Sequence, residues 1–195
     1  MSATLEPETE PRLPDRYEVV NGEVVELPPM SAFSAEVANQ IRDELAAYCR
    51  TSGLGRTRND MLFRVPFPAD PTRNRRPDVT FISFERWPAD RPLPYRGEPM
   101  DAVPELVVEV ASPNDEAEGL LGKAHEYLEA GARLVWLVYP RLRVLHAYQS
   151  PTSFRVFTAG DDLDGGPVLP GFRVPMAQLF PPMIPEPEPE SDETD

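Results

Sequence analysis

The sequence predicts an α/β fold at the border with α+β, in which helices flank a mixed β-sheet and a β-hairpin opens the domain. Two short, continuous apolar runs, 106–110 and 134–139, are typical of strands that are covered on both faces. Apolar residues recur at helical spacing between these runs, which predicts a right-handed strand–helix–strand crossover over 105–139. Near the N-terminus, Asn21-Gly22 separates two β-prone runs, and such a pair is a strong hairpin signal.

The folded part of the chain is predicted to run from about residue 16 to residue 180. The 195 residues fit a single domain with a well-developed core. Both ends, 1–15 and 181–195, are acidic and contain proline, and they are predicted to be disordered because they cannot bury an apolar face. No run approaches the roughly 20 apolar residues that cross a membrane, and the N-terminus lacks a signal-peptide pattern. We therefore expect a cytoplasmic protein with no membrane contact.

The first half of the domain is predicted to contain a hairpin, one helix and a strand. Apolar residues at helical spacing define the helix, and a serine before them is a plausible N-cap. Glycines at its end favour termination there. The predicted elements are the hairpin over 17–27, the helix with Ser34 as N-cap and with Gly53 and Gly55 as its stop, and the strand over 57–65.

The second half is predicted to complete the sheet. The stretch 87–104 is rich in proline, glycine and charged residues, which predicts a long loop. Such loops in compact domains are often functional. The predicted elements are a strand over 78–82, the loop over 87–104, a strand over 106–110, a helix over 116–130 that stops at Gly131, a strand over 134–139, and a hairpin of 144–148 with 154–157.

The charge distribution limits the kinds of partner. The net charge is −14, of which the predicted tails carry −3 and −6, leaving −5 for 16–180. A tight nonspecific nucleic-acid binder normally has a basic stripe, whereas this chain has only a local one, with Arg73, Arg75 and Arg76 just before Asp78. These arginines fit either a solvated loop or a phosphate-contacting patch. The single cysteine, Cys49, excludes an intrachain disulfide framework and a cysteine-rich zinc site.

Glu109 is the most informative polar residue. It stands between Val108 and Val110 in a strand that otherwise looks fully buried. An ionised carboxylate there is costly unless it is paired or binds a metal. A solvent-facing position or a structural ion pair would explain Glu109 equally well, so the strand pattern alone leaves both interpretations open.

Asp78 adds a second carboxylate at the start of another strand. It follows Pro77, and a turn-forming Pro-Asp pair is the alternative explanation for it. Two carboxylates on separate strands would make a hard-oxygen site suited to Mg²⁺ or Mn²⁺. Asp78 and Glu109 are therefore candidate metal ligands, and at this point the turn, surface and ion-pair explanations remain open.

Two further charged residues are candidates for the site. Lys123 falls at the margin of the apolar stripe of the second helix, one turn before Tyr127, from where its ammonium could reach the end of the sheet. A surface lysine that lies along the helix is the alternative. Glu23 begins the second strand of the opening hairpin, where an exposed carboxylate is the simpler interpretation.

Several motifs in series resemble one known family over roughly 17–180. The chain is similar to the Uma-type "putative restriction endonucleases", a bacterial family of the PD-(D/E)XK nuclease superfamily. The motifs that carry the resemblance are Tyr17-Glu18-Val19-Val20-Asn21-Gly22-Glu23, Arg76-Pro77-Asp78-Val79, Pro104-Glu105-Leu106-Val107-Val108-Glu109-Val110, Lys123-x-x-x-Tyr127-x-x-x-Gly131, Trp136-Leu137-Val138, and Leu169-Pro170-Gly171-Phe172 with Leu179-Phe180.

The resemblance implies a restriction-endonuclease-like core. It also implies a metal-dependent endonuclease that hydrolyses phosphodiester bonds, with DNA as the expected substrate. By it, Asp78 and Glu109 hold Mg²⁺ or Mn²⁺, Lys123 takes the role of the superfamily lysine from the following helix, and Glu23 is an accessory acid. It also implies nucleic acid as the partner, and folds of this kind are often homodimers. The acidic surface leaves a second interpretation open, in which a catalytically inactive nuclease-like fold serves as an interaction or regulatory module.

Overall fold

The computed structural model describes residues 13–95, 97–113 and 115–182. The predicted tails fall largely in 1–12 and 183–195, which lie outside the described residues. The helices are α1 (Ala32–Ser52) and α2 (Ala117–Glu129), and short 3₁₀ turns cover Pro140–Leu142 and Met176–Leu179. The strands are β1 (Tyr17–Val20), β2 (Glu23–Glu26), β3 (Gly55–Asn59), β4 (Phe63–Arg64), β5 (Asn74–Arg75), β6 (Val79–Ser83), β7 (Leu106–Val110), β8 (Leu134–Tyr139), β9 (Val144–Ser150), β10 (Ser153–Phe157), β11 (Asp162–Gly165) and β12 (Leu169–Pro175).

A mixed six-stranded sheet forms the centre of the fold, in the order β10-β9-β8-β7-β6-β3. β7 and β8 pair in parallel, while the other neighbours in this sheet are antiparallel. The parallel pair is joined through α2, as predicted for the crossover segment. The mixed sheet with flanking helices and an N-terminal hairpin confirms the predicted fold class.

Each face of the central sheet is covered by one helix. On one side, α1 packs Val37, Ile41 and Leu45 into a core that also contains Val108 and Trp136. On the other side, α2 packs Leu120, Ala124 and Tyr127 into a core that also contains Val107 and Leu137. Alternate residues of β7 therefore face different helices, which explains why its sequence is continuously apolar apart from Glu109.

The N-terminal hairpin belongs to a second, four-stranded sheet of order β2-β1-β5-β4. Asn21 and Gly22 both have positive φ, 53° and 79°, as a two-residue type I′ turn requires. β1 pairs with β5 at Val19 and Asn74. This pairing brings the arginine-rich 73–76 segment beside the first strand of the hairpin.

Two sequence predictions need correction in the first half. The N-cap of α1 is Ser31, not Ser34: the Ser31 hydroxyl accepts a hydrogen bond from the Ser34 amide, and the buried Ser34 hydroxyl donates to the carbonyl of Ala111 at 3.0 Å. The predicted strand over 57–65 is broken into β3 and β4. The break is at Asp60, whose φ of 48° cannot continue a strand.

A final hairpin, β11–β12, was not predicted from the sequence. Its residues Leu163, Phe172 and Val174 extend the core on the α1 side, and the ring of Phe172 lies 5.9 Å from that of Trp136. Among the described helices, none is both long and apolar enough to cross a membrane.

Candidate active site

Asp78 and Glu109 lie opposite each other on neighbouring strands. The antiparallel register of β6 and β7 pairs Val79 with Val108, and Asp78 and Glu109 occupy the next position along both strands. Directly opposed residues of an antiparallel pair project from the same face of the sheet, with Cβ atoms about 5 Å apart. The structure therefore brings the two predicted metal ligands together on the face covered by α2.

Glu109 is buried, with 4% of its surface exposed, and has two partners on α2. The phenol of Tyr127 donates a hydrogen bond to its Oε1 at 2.7 Å, and the ammonium of Lys123 lies 3.7 Å from its Oε2. Burial raises the pKa of Glu109, and the charge of Lys123 opposes that rise. Both α2 partners are one helical turn apart, so they meet the same carboxylate.

Asp78 is held at the end of its strand by the neighbouring backbone. Its Oδ2 accepts a hydrogen bond from the amide of Val110 at 2.7 Å. Burial, followed by the negative charge of Glu109, raises the pKa of Asp78 to about 7. Two carboxylates placed so that neither ionises easily beside the other are a typical arrangement at functional sites.

Lys123 connects Glu109 to a third acid, Glu18. Its Nζ lies 3.4 Å from Oε1 of Glu18, and its side chain is 24% exposed. The charge of Glu109 raises the pKa of Lys123 more than burial lowers it. The predicted position of this ammonium near the end of the sheet therefore agrees with the structure.

Glu18, on β1, is a site residue that the sequence analysis missed. It is only 2% exposed and accepts hydrogen bonds from the Arg75 guanidinium at 2.5 Å and from the Arg76 amide at 3.1 Å. Burial alone would raise the pKa of Glu18, but the charges of Lys123 and Arg75 outweigh burial and lower it. Glu23, the predicted accessory acid, is exposed at the turn end of β2, opposite Val20.

Arg73 and Arg75, which precede Asp78, form ion pairs within the fold. Arg75 bonds Glu126 of α2 at 2.6 Å as well as Glu18, and Arg73 pairs with Glu126 and with Asp70. Arg73 and Arg75 are both buried, so they are neither a solvated loop nor an open phosphate-binding patch. Their charges are used to fix the hairpin and β5 against α2.

Asp78, Glu109 and Lys123 line a cleft of about 360 Å³. Ser112 and Asp115 also line this cleft. Within the described ranges there is no group of three or more His, Cys, Asp or Glu side chains placed to hold a metal ion. An ion in this cleft would rely on the two opposed carboxylates, with its other ligands coming from water or a phosphate, as is usual for Mg²⁺.

Comparisons with known proteins agree with the fold. A model of the Uma2 family, described as "Putative restriction endonuclease", matches residues 7–177. The structure is similar to a crystal structure described as a putative nuclease belonging to DUF820 from Anabaena variabilis, with a TM-score of 0.70 and 17% sequence identity. That alignment covers 90% of this chain and 93% of the other, and at this identity it supports the fold alone. No curated protein matches the chain.

Proposed function

Because the chain belongs to the Uma2 family of putative restriction endonucleases, we propose that it is a metal-dependent nuclease that hydrolyses phosphodiester bonds, with DNA as its substrate. The observation that carries this proposal is the opposition of Asp78 and Glu109 in a cleft that also contains Lys123. Carboxylates on adjacent strands and one ammonium are the group types that metal-assisted phosphodiester hydrolysis requires.

The donor set fits a divalent hard cation. Asp78 and Glu109 offer carboxylate oxygens; burial raises the pKa of both, and the negative charge of Glu109 adds to the rise at Asp78. A bound Mg²⁺ or Mn²⁺ would remove that mutual repulsion, which is the physical reason for such a site to take up a cation. When bound, the ion would supply Lewis-acid activation of the phosphate and of a water molecule.

The surrounding residues have distinct tasks in this proposal. Lys123 would stabilise the negative charge that develops on the phosphate, from a position fixed by Glu18 and Glu109. Tyr127 holds Oε1 of Glu109, and Oε2 faces the ammonium of Lys123. Glu18 carries no direct role in the chemistry and instead keeps the ammonium charged and in place.

The test is a titration of Mn²⁺ and Mg²⁺ by calorimetry, combined with a plasmid-nicking assay on the same samples. Glu109→Gln keeps the shape of the side chain and should lose both metal binding and nicking. Glu105→Gln is the matched control, because Glu105 is also a buried acid next to the same strand but bonds Ser83 and Arg86 instead. Metal-dependent nicking that survives in Glu109→Gln would contradict the assignment.

A second candidate function is a nuclease-like interaction module that does not cut. It is favoured by one observation: the four cations that line the cleft, Arg16, Arg75, Arg76 and Lys123, each already hold protein partners. Nicking by the wild type that is lost in Asp78→Asn would remove this candidate. Absence of metal binding in the wild type would favour it.

A further inference from the structure

An apolar groove lies beside the cleft. It has a volume of about 860 Å³, which is in the size range of pockets that enclose a small organic ligand. Its walls come from the N-terminal turn of α1, the end of β8 and the 3₁₀ turn that follows β8. The side chains that define its character are Phe33, Pro113, Tyr139, Pro140 and Leu142.

The groove is continuous with the catalytic cleft. Ser112, Asp115 and Leu120 line both cavities, so a ligand in one meets the wall of the other. The Ser34–Ala111 hydrogen bond ties the α1 side of the groove to the residue that directly follows β7, two positions beyond Glu109. Whatever binds in the groove is therefore adjacent to the proposed scissile phosphate.

The cleft itself offers little attraction to a run of phosphates. Arg16 is paired with Asp60, Arg75 with Glu18 and Glu126, and the Arg76 guanidinium donates to backbone carbonyls. Counterion release by free cations is the usual source of affinity for nucleic acid, and in this cleft the cations are already engaged. Beyond the proposed metal ion and Lys123 at the scissile phosphate, affinity for a strand would then come from contacts of another kind.

We propose that the groove binds an unpaired nucleobase next to the scissile phosphate, and that the substrate is accordingly a single-stranded or unpaired stretch of nucleic acid. This inference rests on the proposed nuclease function. Aromatic and apolar walls bind a base by stacking, which is sequence-tolerant and does not need phosphate contacts. The faces of a base in a duplex are covered by its neighbours, so only an unpaired base can enter.

Binding is measured without cleavage, in EDTA, so that the result does not depend on catalysis. Fluorescence of a short single-stranded oligonucleotide containing one 2-aminopurine reports stacking, and competition compares unlabelled strands. The full chain should bind the single strand at least about tenfold more tightly than an abasic strand of equal length, and more tightly than the duplex. Leu142→Glu should lose about tenfold in affinity, because Leu142 is 72% exposed and its replacement places a charge in the groove without removing core packing.

Leu54→Glu is the matched control. Leu54 is 45% exposed and follows the C-terminal end of α1, about 30 Å along that helix from the groove. Equal affinity for abasic and normal strands, or equal losses in Leu142→Glu and Leu54→Glu, would overturn the base-binding role. A change of oligomeric state in Leu142→Glu with unchanged strand affinity would assign the groove to a second copy of the chain instead. Strand binding that is seen only after removal of residues 183–195 would assign the groove to the chain's own C-terminal segment.

The two proposals fail in different ways. Loss of base binding with nicking intact would remove the groove proposal and keep the nuclease. Base binding without nicking under any metal would keep the groove as a nucleic-acid site and remove the proposed catalysis.

Discussion

The phenol of Tyr127 donates a 2.7 Å hydrogen bond to Oε1 of Glu109, and both side chains are buried. The bond fixes the rotamer of a carboxylate whose other oxygen faces Lys123 at 3.7 Å. Tyr127 is therefore a positioning residue: it acts through Glu109 and does not itself reach the cleft.

Replacing Tyr127 with Phe should weaken both metal binding and the fold. The carboxylate of Glu109 would lose the neutral donor at its Oε1, at a cost of about 1–3 kcal/mol in the free energy of unfolding. Metal affinity should fall by about 10–100-fold, as is usual when the partner of a ligand is removed. Urea denaturation and calorimetric titration measure the two effects. Tyr95→Phe, at a position that is 95% exposed, should change neither, and equal metal affinity in Tyr127→Phe and the wild type would contradict the positioning role.

Glu18→Gln should be one of the more destabilising single substitutions. Glu18 bonds Arg75, the Arg76 amide and Lys123 from a position that is 2% exposed. Removing its charge takes away one of the two acidic partners of Arg75 and one of the two acidic partners of Lys123, because Glu126 and Glu109 remain. The loss of these charged hydrogen bonds in a buried environment costs about 2–3 kcal/mol. The measurement is the denaturation midpoint in urea. Glu26→Gln, on the exposed strand β2, is the control and should leave the midpoint unchanged.

The sequence predicted the parts of the site that local patterns describe. Glu109 stands out because it interrupts an apolar strand, and Asp78 because it opens the next strand in the sheet. Glu18 could not be found in this way, since a single carboxylate in a short hairpin strand is more simply interpreted as exposed. Its burial is caused by Arg75, 57 positions away, which no local periodicity reveals. Glu18 lies within the family motif over 17–23, and that motif was the available signal that it belongs to the candidate site.

Contacts between residues that are far apart in the sequence also explain the other differences between the predicted and the observed structure. Arg73 and Arg75 look like a surface patch in sequence, yet Glu126 on α2 draws both into the interior. β11 and β12 contain Pro, Gly and alternating charge, so their strand propensity is low. They form because Leu163, Leu169 and Phe172 complete the core beneath α1. Tertiary packing outweighs local propensity in each of these cases.

Lys123 offers a direct electrostatic measurement, because it is the only lysine in the sequence. Reductive methylation with ¹³C gives one side-chain resonance whose pH titration reports its pKa. We expect a value above the ordinary range in the wild type and a lower one in Glu109→Gln, because the charge of Glu109 is the largest cause of the rise. Glu105→Gln should leave the titration in place, and an unchanged pKa in Glu109→Gln would show that the pair is not formed in solution.

The chemical role of Lys123 is tested by Lys123→Met, which removes the charge and keeps the length of the side chain. Loss of a group that stabilises developing charge typically lowers the rate of the chemical step by about 10²–10³-fold. Single-turnover nicking at saturating metal isolates that step. A normal rate in Lys123→Met would reduce the ammonium to a structural counter-ion for Glu18 and Glu109.

Asp78 should make stability depend on pH. Its pKa of about 7 in the folded protein lies above its ordinary value of 3.8, so the folded state binds more protons between these values. The contribution of Asp78 to the free energy of unfolding is therefore fully stabilising below about pH 4. This stabilisation disappears as the pH rises through about 7. Asp78→Asn, which stays neutral, should show a smaller fall in stability between pH 5 and pH 8 in the presence of EDTA. Asp101→Asn, whose side chain is 70% exposed, should keep the wild-type profile.

The affinity for a metal ion should depend on pH in the direction opposite to that of the stability. A cation competes with the proton on the Asp78–Glu109 pair, so affinity for Mn²⁺ should rise as the pH increases through 7 and then level off. Calorimetry in two buffers of different ionisation enthalpy should detect about one proton released per ion bound at pH 6. At pH 8.5, above the pKa of Asp78, that carboxyl is already deprotonated, and the released fraction should be smaller. A release that is the same at both pH values would mean that the ion binds elsewhere, because the titrating pair would then not be part of its site.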